Sequence, residues 1–467
     1  MTHYHLKIEP FEMLNEVKLT GIQQVNEHGV VNFSGIVPAE KEDEYTKKVL
    51  GSTSAKVYSV DLVGGGEELW FWGVVTEISI SSEDGLKTLS ATLHTGTYLM
   101  DVRLHTRSYQ NPGMTYNEVL ATYTDSYPTG SFIMKVGSGE TINKLIMQYR
   151  ETDWTFTRRL STHFKSVLIP DCLTGGVKYY FGIKKSSPVA TIQAKTYEMR
   201  KNASDYKIKK NQGVSLDEVD TINYIYQTKE IYRLGDCVEF NDKQMYVSRI
   251  ETAFDRSDLT HTYFLKSLEG FQVPKEYNTQ ANGVSFRCNI TAVEKDVVQV
   301  SIIEDENKEG CGVRWFPYST VYSTPDGTGW FCMPEVDDEM RLYIPDEDEA
   351  GAYVISATHL TSAASDERCN PDFKSIMNKY HKEVLFTPDS LIFTNNNGMS
   401  VEILDEEGIK IISDKIIKIE SDEAIHIAST ESSITVTSPK SITFKQGDTV
   451  THLEKNISFD GSKIHMD

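Results

Sequence analysis

The sequence has no run of about 18 apolar residues, so it offers no segment that would cross a bilayer as a helix. Its N-terminus has neither the basic stretch nor the apolar stretch that begins a secretory signal. We therefore expect a cytoplasmic protein. If it leaves the cell, we expect it to do so without the signal peptide of the general secretory route.

Cysteine is scarce and scattered along the chain. The six cysteines form no CxxC pair and no cluster with histidine; they are Cys172, Cys237, Cys288, Cys311, Cys332 and Cys369. This spacing predicts free thiols in a reducing compartment rather than a zinc site or a disulfide framework.

The sequence has fewer basic than acidic residues. It contains 47 lysines and arginines and 68 aspartates and glutamates, which gives a formal net charge of -21. Such a chain does not attract nucleic acid through a general basic field. The sequence also lacks GxSxG, HExxH and GxxxxGK[ST] motifs. We predict that the protein is not an enzyme, with no catalytic residues and no cofactor.

A short apolar repeat dominates the C-terminal part of the sequence. From residue 391 onward, two apolar residues separated by one residue recur about every eight positions. Residues at i and i+2 share one face of a strand, and Gly, Asn, Asp or Ser at the block ends supply bends. The pairs are Leu391/Phe393, Val401/Ile403, Ile409/Ile411, Ile417/Ile419, Ile425/Ile427, Ile434/Val436, Ile442/Phe444, Val450/His452, Ile457/Phe459 and Ile464/Met466.

Two apolar residues per strand are too few to bury a face within one chain, and such repeats gain stability by stacking on copies of themselves. The pattern favours three chains wound around one axis as a triple-stranded β-helix. About ten layers would give a rod of roughly 45 Å. A single-chain β-helix and a β-meander are the alternatives. The predicted trimer core is Val401, Ile403, Ile409, Ile411, Ile417, Ile419, Ile425, Ile427, Ile434, Val436, Ile442 and Phe444.

The remaining sequence predicts a mainly β, β-rich α+β chain with four regions. Residues 1–280 are predicted to form a β-rich region with two barrel-like modules and two helices, of which the clearer spans 140–166. Its polar side, with Lys144, Arg150, Glu151, Arg158 and Arg159, would meet water or a neighbouring subunit. Residues 281–360 form a small Greek-key barrel of the OB type. Its predicted strands are 286–290, 297–303, 313–316, 330–333, 339–344 and 353–357. Residues 361–390 are a linker or neck with a short helix at 373–380, and residues 391–467 form the triple-stranded β-helix.

Three separated stretches resemble the valine-glycine repeat (VgrG) family of spike proteins. Residues 148–160, QYRETDWTFTRRL, are similar to the family helix QYxESDxxFxxRL. Residues 314–318 and 329–340 are similar to its barrel, although Asp337 replaces a glycine. Residues 344–357 are similar to a hairpin of the same barrel, with the acidic turn at 346–349 in place of the family's proline. The repeat is similar to the family's triple-stranded β-helix, with Ile-x-Ile in place of Val-Gly.

The resemblance implies a trimeric protein of a contractile injection machine, such as type VI secretion. Residues 1–280 would be its hub and residues 391–467 its spike. Such a protein caps the tail tube and punctures a target envelope to deliver effectors. The implied partners are two further copies of the chain, a hexameric Hcp-like tube protein, baseplate proteins, a PAAR-type tip protein or effector, and, transiently, the target membrane. The alternatives are a hub or spike of a phage or phage-tail-like bacteriocin and, in another class, a tailspike that binds or cleaves carbohydrate.

The C-terminus is the predicted docking surface for a tip partner, and its candidate residues are Phe459, Ile464, His465, Met466 and Asp467. The chain stops soon after its last repeat, so we expect no fused effector. Three copies of His465 on a threefold axis would leave a metal undercoordinated, and we predict no metal there. His452 falls at an inward position of the repeat unless the register slips. The acidic residues 346–349 are predicted to be a solvated turn rather than a cation site.

Overall fold

The computed structural model describes residues 4–51, 53–61, 66–256, 258–355, 357, 370–454 and 457–460. The chain divides into two units, Met1–Thr358 and His359–Asp467. It is mainly β, as predicted. No helix in the described ranges is long and apolar enough to cross a membrane.

The first unit begins with antiparallel strands that enclose one hydrophobic core. They are β1 (Tyr4–Glu9), β2 (Asn15–Gln24), β3 (Val30–Ile36), β4 (Ser54–Asp61), β5 (Glu67–Glu83) and β6 (Leu86–Thr95), with helix α1 (Glu42–Gly51) between β3 and β4. Alternate residues of β6, including Leu89 and Leu93, are buried against Phe71 and Val57. These strands lie in the order β1-β4-β5-β6-β3-β2, and each pairs antiparallel with its neighbours.

A middle region packs two helices and short strands around a second core. Its elements are β7 (Leu104–Tyr109), α2 (Tyr116–Thr124), β8 (Ser131–Met134), β9 (Ile146–Thr152), α3 (Asp153–Thr162), β10 (Leu168–Pro170) and β11 (Lys178–Phe181). Thr115 and Glu118 form a capping box that starts α2. Tyr109, Tyr123 and Phe156 lie in the buried core.

The long helix predicted over residues 140–166 is wrong in its first half. Residues 146–152 form β9, and only residues 153–162 are helical. Asn143 and Arg150 have φ values of 55° and 50°, which no α-helix accommodates. The helix starts instead at Thr152, whose hydroxyl oxygen accepts a hydrogen bond from the amide of Thr155 at 3.1 Å.

The next strands extend the first sheet. They are β12 (Thr191–Ile192), β13 (Glu198–Lys201), β14 (Ile222–Thr228), β15 (Cys237–Phe240), β16 (Lys243–Asp255) and β17 (Asp258–Lys266), with helix α4 (Ala203–Asn211) after β13. Strand β16 pairs with β2, from Arg249 opposite Gln24 to Phe254 opposite Leu19. One sheet therefore runs through both predicted barrel-like modules. The described hub contains four α-helices rather than the two predicted.

Five strands form a small barrel at the end of the first unit. They are β18 (Ser285–Glu294), β19 (Val297–Ile302), β20 (Phe316–Pro317), β21 (Glu339–Tyr343) and β22 (Tyr353–Ile355). Their order is β20-β19-β18-β21-β22, and a parallel bridge between Tyr318 and Val354 closes the ring. A closed five-stranded barrel therefore lies where the sequence predicts a Greek-key barrel of the OB type. The strand predicted at 313–316 is wrong except at Phe316, which begins β20, and the strand predicted at 330–333 is wrong, because these residues lie in the loop between β20 and β21.

The described part of the second unit contains two antiparallel meanders. The first contains β23 (Lys374–Met377), β24 (Glu383–Phe386), β25 (Ser390–Thr394), β26 (Met399–Leu404) and β27 (Gly408–Ser413). The second contains β28 (Ile442–Gln446), β29 (Thr449–Leu453) and β30 (Ile457–Asp460). The short helix predicted at 373–380 is wrong, because β23 occupies this position.

Candidate functional site

The apolar repeat has no core of its own in a single chain. None of the described residues between 370 and 454 is buried. Of the predicted trimer-core side chains, Ile442 is half-buried and all the others are exposed; Ile419 is 68% and Ile427 73% exposed. A contiguous apolar surface of this kind is typical of a face that another molecule covers.

The central part of the repeat also has no strand partner in the described chain. Residues 414–441 form no strand, although they carry Ile417, Ile419, Ile425, Ile427, Ile434 and Val436. Backbone amide and carbonyl groups are obligatory hydrogen-bonding groups, and an unpaired extended segment offers them to another strand. This segment therefore presents both exposed apolar side chains and backbone groups that no strand pairs with.

The blocks on either side pair within the chain. Leu391 lies opposite Ile403, and Phe393 opposite Val401. Val401 and Ile403 in turn lie opposite Ile411 and Ile409. Directly opposed residues share a sheet face, so the apolar pairs form two rows across β25, β26 and β27. Residues 390–413 and 442–460 thus adopt the meander that the sequence left open as an alternative to winding around other chains.

Strand β29 places His452 away from the apolar residues of β28. Ile442 lies opposite Leu453, and Phe444 opposite Thr451, so His452 points to the other face. His452 Nδ1 is 2.8 Å from Thr443 Oγ1. This arrangement corresponds to the slipped register that points His452 outward.

The predicted tip lies almost entirely outside the described residues. Phe459 belongs to β30, whereas Ile464, His465, Met466 and Asp467 fall in the undescribed segment 461–467. The structure brings together no group of three or more histidine, cysteine, aspartate or glutamate side chains able to hold a metal within its described ranges.

The motif at 148–160 is a buried polar network rather than a water-facing helix surface. Arg159 is 2% exposed, and its Nε and Nη2 donate to the carboxylate of Glu151 at 2.9 and 2.8 Å. Arg159 Nη1 also donates to Glu349 of the barrel at 3.0 Å. Burial raises the pKa of the Glu151 carboxyl, and the Arg159 guanidinium opposes this shift. The prediction that Glu151 and Arg159 face water or another subunit is wrong.

A second set of polar contacts, centred on the buried Asp153, links the start of this helix to the strand before it. Asp153 accepts hydrogen bonds from Gln148 Nε2 at 2.8 Å and from Tyr127 Oη at 2.7 Å. Arg107 Nη1 forms an ion pair with Asp153 at 2.5 Å and a hydrogen bond to Gln148 Oε1 at 2.9 Å. The motif residues therefore hold β7, β9 and α3 together, and Arg107 is a member that the sequence did not reveal.

The barrel is joined to the middle region by further polar contacts. Asp305 is buried and accepts from the amide of Ser108 at 3.0 Å, while Glu306 Oε2 lies 2.7 Å from His105 Nδ1. Lys144 Nζ donates to Asp348 Oδ1 at 2.7 Å. The acidic residues 346–349 are thus not simply a solvated turn, because Asp348 and Glu349 pair with cations of the middle region.

Comparison with known proteins finds relatives only at the level of structure. The sequence matches no family model and no curated protein. The E. coli c3393 protein is described as a type VI secretion component with structural similarity to the T4 phage tail proteins gp27 and gp5. It aligns with a TM-score of 0.52 at 12% identity, over 76% of this chain and 100% of its own.

Two structures of a Francisella PdpA–VgrG complex give similar results. The lidded form aligns with a TM-score of 0.56 at 11% identity, over 88% of this chain and 80% of the other. The half-lidded form aligns with a TM-score of 0.55 at 12% identity, over 88% of each chain. At these identities the likeness concerns the fold. The chain is therefore similar in fold to type VI secretion proteins that resemble phage tail hubs.

Proposed function

We propose that this chain is a VgrG-like hub and spike that works as a homotrimer in a contractile injection machine. The observation that carries the proposal is the exposed apolar repeat, above all residues 414–441, which have neither a core nor a strand partner in the described chain. Burying one isoleucine side chain contributes about 1.5–3 kcal/mol, so covering these rows with copies of the same rows supplies a large driving force.

Three copies of the chain would provide both the strand partners and the apolar contacts that the repeat lacks in one chain. Each chain would supply the strands that the others lack, so that the backbone groups of 414–441 pair between chains and the isoleucines converge on the axis. The outward positions carry Lys418, Glu420 and His426, which remain in water. The meanders at either end would then be the places where each chain pairs with itself.

The hub supports the rest of the proposal through its fold. In this proposal, the hub sheets of three subunits cap a hexameric Hcp-like tube and contact baseplate proteins, and the OB-type barrel leads into the β-helical needle. A PAAR-type tip protein or an effector docks at the C-terminal strands. The trimer assembles in the cytoplasm and is expelled to puncture a target envelope. A baseplate hub of a phage or phage-tail-like particle would use the same architecture.

The trimer is tested by placing a charge on its axis. Ile419→Asp would bury three carboxylates, at a cost of several kcal/mol per ion. Lys418→Asp introduces the same residue at the adjacent position on the opposite strand face and is the matched control. We expect Ile419→Asp, but not Lys418→Asp, to abolish the trimer on a sizing column with light scattering. Trimers of equal heat stability in both variants would contradict the proposal.

A further inference from the structure

A cavity of about 530 Å³ lies in the first unit, beside β2, β10, β11 and β16. Its wall is mixed in character. Apolar side chains such as Ile169, Leu234 and Ile250 share it with polar and charged ones, among them Gln23 and Arg233. A volume of this size is typical of a small-molecule site, and the mixed wall suits a ligand that is itself polar.

Gln23 contributes a free amide group to the cavity wall. Its main chain pairs with Ile250 of β16, and the residue is only 7% exposed. Its side-chain amide has no hydrogen-bond partner among the described residues, and both polar atoms keep accessible surface. Buried polar groups almost always have a partner, so this amide is available to a molecule held in the cavity. A glutamine amide offers a donor beside an acceptor, which fits a ligand edge with the same two groups reversed.

Three basic side chains of the wall have no ion-pair partner in the described parts of the chain; they are Lys135, Lys184 and Arg233. Lys135 Nζ lies 5.1 Å from the centre of the Tyr180 ring. Burial raises the pKa of the Tyr180 hydroxyl, and the charge of Arg233 opposes this rise. Lys135 and Arg233 therefore approach the same tyrosine, and both positive charges are free to meet an anion there.

The acidic side chains of the wall do not occupy these cations. Asp171 accepts hydrogen bonds on both carboxylate oxygens, from an amide and a hydroxyl of its own turn at 2.8 and 2.6 Å. Asp236 accepts one from the main-chain amide of Arg233 at 2.8 Å. Glu68, the third acidic residue, is exposed. The acidic groups inside the wall therefore already have hydrogen bonds, whereas the basic groups have no partner.

We propose that this cavity binds a nucleoside monophosphate with an adenine base. Its phosphate supplies the negative charge that Lys135 and Arg233 lack, and the planar guanidinium of arginine is well suited to phosphate. The Gln23 amide fits adenine, because a glutamine can donate to a ring nitrogen of the base and accept from its exocyclic amine at the same time. The proposal concerns the first unit alone and does not depend on the trimer.

The first test compares three ligands on the unmodified full chain by isothermal calorimetry in a phosphate-free buffer. Adenosine monophosphate (AMP) carries both groups, adenosine lacks the phosphate, and ribose 5-phosphate lacks the base. We expect AMP to bind saturably, with one molecule per chain. Adenosine and ribose 5-phosphate should each bind about tenfold more weakly or worse, because each loses one set of contacts. This comparison does not depend on how any variant folds.

Two variants assign the contacts. Gln23→Leu removes the amide and should weaken AMP binding about tenfold without changing the binding of ribose 5-phosphate. Arg233→Met removes the guanidinium and should weaken AMP and ribose 5-phosphate about tenfold without changing the binding of adenosine. Gln212→Leu and Arg200→Met make the same changes at exposed residues outside the cavity wall and should bind AMP as the parent does. The proposal is overturned if AMP shows no saturable binding, if adenosine or ribose 5-phosphate binds as tightly as AMP, or if either cavity variant binds AMP as the parent does.

Discussion

Arg159 and Glu151 form a two-pronged ion pair inside the protein, with Nε–Oε1 and Nη2–Oε2 distances of 2.9 and 2.8 Å. The pair extends to Glu349 and so joins α3 and β9 to the barrel. Both residues belong to the motif that resembles the spike family. Their role in this chain is to position the barrel on the hub.

Removing the cation should therefore be costly. Arg159→Met leaves Glu151 and Glu349 as buried carboxylates without their partner, and we expect a loss of about 3–5 kcal/mol in the free energy of unfolding. Urea unfolding followed by tryptophan fluorescence measures the change. Arg200→Met, which breaks an exposed pair with Glu198, is the control and should change stability little. A loss no greater for Arg159→Met than for the control would refute the structural role.

Gly96 should tolerate no side chain, because its backbone packs on Gly176. A Cβ atom at residue 96 would lie 1.9 Å from the carbonyl oxygen of Gly176. We expect Gly96→Ala to lower the free energy of unfolding by about 1–3 kcal/mol, since one of the two backbone segments must move. Gly51→Ala places a methyl group in open space and is the control. Equal thermal midpoints for the two variants would count against this packing.

Two buried histidines should make the first unit sensitive to mild acid. Burial lowers the pKa of His163 to about 3 and that of His261 to about 4, against roughly 6.5 in an unfolded chain. Between these values the unfolded chain binds more protons than the folded chain. Stability should therefore fall as the pH drops from about 6.5 towards 4, by about 1.4 kcal/mol per pH unit for each histidine.

A substitution isolates the contribution of one histidine to this slope. His163→Gln removes the titrating group, so urea unfolding midpoints measured between pH 7 and 5 should depend less on pH than those of the parent. His426→Gln alters an exposed histidine and should leave the slope as it is. If the urea midpoints of His163→Gln depended on pH as strongly as those of the parent, unfolding would not change the protonation of His163.

The sequence predicted the parts of the fold that depend on local pattern. Period-two alternation identified most barrel strands, and the spacing of the apolar pairs identified the blocks that carry β25, β26 and β27. The helix at 140–166 failed because apolar spacings of three and four also arise in an irregular strand with positive φ at Asn143 and Arg150. The Thr152-Asp153 cap signal was present in the sequence and marks the true helix start.

Other features could not be predicted, because they depend on contacts between distant residues. Glu349 lies 190 positions from Arg159, and no local pattern indicates that the acidic turn closes on this arginine. The cavity beside Gln23 and Arg233 arises in the same way, from residues that lie far apart in the sequence. The sequence showed residues 414–441 only as part of the apolar repeat. That other copies of the chain cover their isoleucine side chains is a prediction.

The most direct test of the trimeric spike is the solution mass of the full chain beside a version that ends at Asp389, measured by light scattering on a sizing column. We expect a stable trimer for the full chain and a monomer or loose association for the shortened one. A full-length monomer would contradict the trimeric spike, because the exposed apolar rows would then need no second chain to cover them.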